Sequence, residues 1–117
     1  MTVETPLPCP GCGFMVLAGS YGSYDICDFC GWEDDGVQLA NPMAGGGANR
    51  KSLHEVQLTA LERYPLDIRE LRGVARSARW RPLSPVEVRR FDQHREQKHW
   101  HSREILDEVE AYWSRAV

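Results

Sequence analysis

A chain of 117 residues holds one domain with a modest core and is too short for two comfortable ones. Net charge is only -3, from 14 Lys and Arg against 17 Asp and Glu, and no apolar run reaches the roughly 18 residues of a membrane helix. The opening MTVETPLPCP has neither a basic nor an apolar region, which argues against an export signal and for a reducing cytoplasm, where spaced cysteine pairs hold metal rather than disulfides.

The first element is a pair of matching turns. Cys9-Pro10-Gly11-Cys12-Gly13 and Cys27-Asp28-Phe29-Cys30-Gly31 are each Cys-x-x-Cys-Gly, with 14 residues between them. Two residues between cysteines let both sulfurs face one ion, and the following glycine closes the turn in the left-handed conformation at little cost. Two such knuckles supply the closed four-sulfur set of a structural zinc site, with Cys9, Cys12, Cys27 and Cys30 as ligands. Four thiolates leave no coordination position for water, so the metal is expected to be structural rather than catalytic. An iron site on similar knuckles is the lesser alternative. Between the knuckles, FMVLAGSYGSYDI reads as a β-hairpin with strands at 14–17 and 23–26, which makes the pattern that of a zinc ribbon.

Next come Trp32, Glu33, Asp34 and Asp35. Adjacent acids point different ways in a turn, whereas hard-cation loops space them at alternating positions. The expectation is that these acids pair internally with a basic stretch or face a binding partner, ahead of acid–base catalysis. If they face solvent or a partner, changing Asp34 and Asp35 to Asn should leave stability nearly unchanged. The charge distribution permits either arrangement. Residues 1–47 carry six acids and no Lys or Arg, and residues 69–103 carry ten bases against four acids.

Residues 41–51 read as a Gly-rich linker. The segment is one residue from a phosphate-loop pattern, but Arg50 stands where glycine is required. Ser52 with Glu55 forms a capping box for a helix over 53–63, which Tyr64-Pro65 ends. Residues 66–76 suggest a further short helix weakened by Gly73. Ser84-Pro85 with Glu87 opens the last helical stretch, running to 117 either as one helix or as two. His94, His99 and His101 are spaced by five and two, which does not place them on one helical face.

The runs CPGCGF, YDICDFCGWEDDGVQLANP and GGGANRKSLHEVQ resemble the bacterial cysteine-rich CPCC family over about half the chain. Gly11 stands where that family has the additional cysteine of its name. The resemblance implies zinc binding without an agreed activity, and some similar small proteins look like immunity proteins encoded beside toxins.

The expected fold is α+β. A ribbon and acidic loop at 8–40 and a linker at 41–51 precede a helical part at 52–117, all in one domain. The expected function is that of a non-enzymatic zinc protein acting on a protein partner such as a cognate toxin, with Trp32, Glu33, Asp34 and Asp35 as the candidate contact. Self-association through the C-terminal helices would be compatible with this. The alternatives are a nucleic-acid-binding ribbon using residues 69–103 and, behind it, an enzyme using the clustered acids.

Overall fold

The structure, a computed structural model, describes residues 6–94 and 103–115. It is α+β, with the ribbon at its N-terminal end. Strand β1 (Pro6–Leu7) pairs antiparallel with β2 (Leu17–Ala18), placing Leu7 opposite Leu17, and the first knuckle lies between them. The second knuckle is enclosed in the same way. Tyr24 N–H donates to the Asp34 carbonyl at 2.9 Å, Asp34 N–H to Asp25 at 2.9 Å, and Ile26 lies opposite Glu33.

The hairpin expected from pairing 14–17 with 23–26 is therefore replaced by two hairpins, each folded across its own knuckle. The physical reason is loop closure. A Cys-x-x-Cys turn already reverses the chain, so its flanks meet at a lower entropic cost than the ends of a longer loop. The knuckles share their closing backbone bonds. Cys9 N–H reaches the Phe14 carbonyl and Cys27 N–H the Trp32 carbonyl, both at 2.9 Å. Gly13 and Gly31 sit at φ 84° and 82°, the left-handed closure expected of them.

Three helices follow. The short α1 (Gly36–Ala40) is capped by Asp35. Helix α2 (Leu53–Arg63) has the expected bounds and the expected Ser52–Glu55 capping box. Helix α3 (Pro85–His94) begins with a second box, in which Ser84 N–H donates to Glu87 and Glu87 N–H to Ser84 Oγ.

The expected helix at 66–76 is instead a third β-hairpin. Strand β3 (Glu70–Leu71) pairs with β4 (Val74–Ala75) around Arg72 and Gly73, at φ 52° and 80°. Two consecutive left-handed residues make the tight turn that suits a two-residue hairpin and that a helix cannot contain. The hairpin continues onto the ribbon, with Arg76 opposite Phe14 and Met15 N–H donating to the Ala75 carbonyl at 2.9 Å.

A helix to the C-terminus is not found either. Residues 95–102, which include His99 and His101, lie outside the described residues. After them come two 3-10 turns, Glu108–Glu110 and Tyr112–Ser114, separated by Ala111 in an extended conformation. That break turns the adjacent Tyr112 and Trp113 both inward, to 5% exposure each. The segment thus packs on its own chain: Ile105 N–H donates to the Gly36 carbonyl and Tyr21 N–H to the Leu106 carbonyl.

The core is aromatic around the ribbon. Phe14, Phe29 and Tyr64 meet edge to face or tilted, with centroids 5.1–6.3 Å apart, and Trp32, Leu39 and Leu53 are fully enclosed nearby. Among the described residues no helix is long and apolar enough to cross a membrane.

Candidate metal centre

The two hairpins carry their knuckles to one point. The sulfurs of Cys9, Cys12, Cys27 and Cys30 all lie within 4.8 Å of one another, three of the residues buried and Cys30 half-buried. Cys9 Sγ is 3.6 Å from Cys30 Sγ, and Cys12 Sγ is 3.7 Å from Cys27 Sγ. A tetrahedron with metal–sulfur bonds of about 2.3 Å has edges of about 3.8 Å. Each of these contacts bridges the two knuckles, so the four sulfurs fit a single ion.

The electrostatics point the same way. Burial pushes the Cys9 thiol well above its ordinary range, and hydrogen bonding among the sulfurs adds to this. The Cys12 sulfur chiefly pushes Cys30 up and holds Cys27 down. Without a cation, four buried thiols in contact cannot all ionise. A dication at their centre supplies the opposing charge that makes all four thiolates.

The acids next to this site are not a surface. Trp32 and Asp34 are 0% exposed and Asp35 is 5% exposed. Asp34 Oδ2 accepts from Ser23 N–H at 3.0 Å and from Ser23 Oγ at 2.6 Å. Asp35 Oδ1 caps α1 by accepting from Val37 and Gln38 N–H, while its Oδ2 accepts from Ala48 N–H at 2.9 Å. Glu33 is half-buried, its main chain clasped by Asn49 through Glu33 N–H to Oδ1 and Nδ2 to the Glu33 carbonyl.

The contact face expected at Trp32, Glu33, Asp34 and Asp35 is corrected accordingly. Asp34 and Asp35 are buried away from the basic stretch: Ser23 holds Asp34 Oδ2, main-chain N–H groups hold both oxygens of Asp35, and among the described residues Asp34 Oδ1 has no partner. Residues 44–51 are likewise no free linker, since Gln38 Nε2 donates to the carbonyls of Ala44, Asn49 and Lys51.

A family model described as cysteine-rich CPCC matches residues 7–64, a span that contains both knuckles and this acidic lock. Through that half of its length, the chain belongs to the cysteine-rich CPCC family. No curated protein matches it with significant similarity.

This CPCC protein reads CPGC at its first knuckle, and the structure shows what the glycine does there. A Cβ at Gly11 would come within 2.9 Å of both Cys30 Sγ and Val56 Cγ1. The position abuts the metal centre, and Val56 fills the space a side chain would need.

Several residues that hold the CPCC knuckle carried no individual sequence signal. Gln57, 1% exposed, donates to the Pro10 carbonyl at 3.0 Å and to Tyr112 Oη at 2.7 Å, and accepts from Leu83 N–H at 3.0 Å. Trp80 Nε1 donates to the same Pro10 carbonyl at 3.1 Å. Arg76 Nε donates to the Cys12 carbonyl at 2.7 Å. In the sequence, Gln57 is one polar residue of a helix and Arg76 one of ten bases, with nothing to mark either for burial.

Proposed function

We propose that the bound ion is zinc, that it is structural, and that the protein is a non-enzymatic binding protein of the bacterial cytoplasm, acting as an immunity protein that neutralises a toxin. The zinc assignment is supported by the closed four-sulfur geometry, which suits zinc or iron, together with the structural role zinc takes in such sites. The non-enzymatic reading is supported by the engagement of Asp34 and Asp35 with main-chain donors.

The observation that carries the binding reading is at the second knuckle. Tyr24 and Ile26 are 58% and 63% exposed, beside the exposed acids Asp25 and Asp28. Tyr24 holds a left-handed φ of 63°, rare for a bulky residue, and its N–H is bonded to the Asp34 carbonyl. The metal hairpin thus presents an aromatic and an aliphatic side chain from a fixed base, with two exposed acids in the same segment. Such a face suits a basic protein surface with a pocket for the aromatic ring.

The nucleic-acid alternative draws less support, because its basic stretch is partly spent internally. Arg76 is 4% exposed, Arg79 pairs with Glu108 at 3.0 Å, and Arg81 pairs with Glu87 at 2.6 Å.

The test is titration of the purified product of the adjacent gene into this protein, compared with a Tyr24→Ala, Ile26→Ala double variant. Metal content of the native chain is measured alongside. The expected result is one zinc per chain, binding weakened by added salt, and at least a tenfold loss in the folded double variant. A neighbouring product that does not bind, or binds the double variant equally well, overturns the reading.

A further inference from the structure

We propose that Arg76 is the counter-charge of the metal centre: a buried guanidinium, outside the family span, whose positive charge is balanced by the surplus negative charge of four thiolates around a dication. The inference rests on the metal reading above and adds a residue to it.

Arg76 is 4% exposed. Its guanidinium lies against the rings of Phe14 and Trp80, with centroid distances of 4.7 and 5.5 Å. Among the described residues every hydrogen bond it donates goes to a neutral carbonyl: Nε to Cys12 at 2.7 Å, and Nη1 to Pro65 at 2.7 Å and to Ile68 at 3.2 Å. Nη2 has no partner. Among the described residues no carboxylate pairs with it, whereas Arg79 and Arg81 each have one.

An arginine stays charged when buried, and a charge without a counter-ion is among the least tolerated groups in a protein interior. A second charge of opposite sign completes the balance. Four thiolates on a dication carry a net charge of -2. Arg76 meets that centre through the main chain of one of its ligands.

The segment around Arg76 is built onto the same knuckle. Ser77 N–H donates to the Gly13 carbonyl at 2.8 Å, and Trp80 Nε1 to the Pro10 carbonyl at 3.1 Å. Carbonyls 10, 12 and 13 of the first knuckle are thus all held by residues beyond position 64. In this chain the metal centre has an outer half that the family match does not contain.

The charge, as distinct from the hydrogen bonds, is what the experiment isolates. The full chain is prepared as wild type, Arg76→Met, Arg76→Gln and Arg76→Lys, and loaded with zinc for chelator competition or with Co(II) for absorption. A nearby positive charge stabilises the sulfur electrons. Removing it moves the sulfur-to-cobalt charge-transfer band to longer wavelength.

The neutral variants should hold metal about 10–100-fold more weakly, the range for outer-shell partners of metal ligands, and should show that red shift. Lys keeps the charge while losing the fork of donors, so it should stay near wild type in band position and retain most of the affinity. If Arg76→Met does not fold, the comparison of Gln with Lys decides.

Neutral variants that match wild type in both readouts, or a Lys variant that matches the neutral ones, overturn the proposal while leaving the metal reading in place. A wild-type chain that takes up neither ion overturns both.

Discussion

Gln38 and Asn49 bind each other in both directions. Asn49 donates to Gln38 Oε1 from its main-chain N–H at 2.9 Å and from Nδ2 at 3.0 Å, and Gln38 Nε2 donates back to the Asn49 carbonyl at 3.1 Å. Through this exchange the acidic run after the second knuckle and the Gly-rich run before α2 become two sides of one lock. Asp35 closes it from the N-terminal end of α1 by holding Ala48.

Asp35→Asn should therefore destabilise the protein, against the nearly neutral effect expected of an acid facing solvent or a partner. Its two oxygens accept from Val37 and Gln38 on one side and from Ala48 on the other. An amide makes one of those acceptors a donor facing a donor. Chemical denaturation at saturating metal should show a loss of roughly 1–3 kcal/mol, the cost of orphaning a buried N–H. A loss too small to measure would mean that the lock contributes nothing.

Metal removal should unfold the whole chain and not the ribbon alone. Gln57, Arg76 and Trp80 all hang on carbonyls of the first knuckle, and Tyr112 hangs on Gln57. Structural zinc binding is worth about 10–16 kcal/mol, comparable with the total stability of a small domain. In Cys27→Ser, or in wild type with chelator, helical circular dichroism and tryptophan fluorescence should be lost together. Helical signal that survives at wild-type strength would show the two halves to be independent.

Glu87→Gln should cost stability at neutral pH and progressively less in acid. Burial alone would raise the Glu87 carboxyl, but the hydrogen bonds from Arg81 and Ser84 outweigh it and hold the group below its ordinary value. A carboxyl lowered on folding stabilises above the unfolded value, near pH 4.3. That contribution is lost as pH falls through the lower folded value. The side chains of Glu87 and Arg81 are 6% and 28% exposed, so the gap at pH 7 should be about 1.5–3 kcal/mol, the scale of hydrogen bonds to a charged group. Measured by denaturant unfolding from pH 7 downward, it should close as the Glu87 carboxyl takes up its proton. A gap independent of pH would remove charge pairing as its source.

Gly11→Cys, which restores the family's CPCC run, should destabilise this chain by roughly 1–3 kcal/mol through overpacking. The new Cβ meets Val56 Cγ1 at 2.9 Å. Adding Val56→Ala should recover part of the loss in thermal unfolding. A single variant as stable as wild type would show that the knuckle and α2 separate freely.

The four cysteines, both capping boxes and the bounds of α2 were legible before any coordinates. Residues 14–17, 66–76 and 103–115 were read less well. Phe14 pairs with residue 76, and Arg72 with Gly73 makes a turn whose handedness no apolar periodicity reports. In the third segment, the extended conformation of Ala111 breaks an apparently helical pattern so that Tyr112 can reach Gln57 and Arg81.

What the chain of letters determined by itself was local. A Cys-x-x-Cys-Gly turn and a Ser-x-x-Glu cap are each complete within five residues, so their hydrogen bonds follow from spacing alone. Only the folded chain decided the fate of the polar groups. Asp34 and Asp35 read as acids for a basic stretch or a partner until Ser23 and Ala48, 11 and 13 residues away, each took one of their oxygens. Arg76 read as one base among ten until it met Cys12, 64 residues away. Burial is set by which distant segments meet, and a charged side chain carries no local mark of whether its partner is water or the interior.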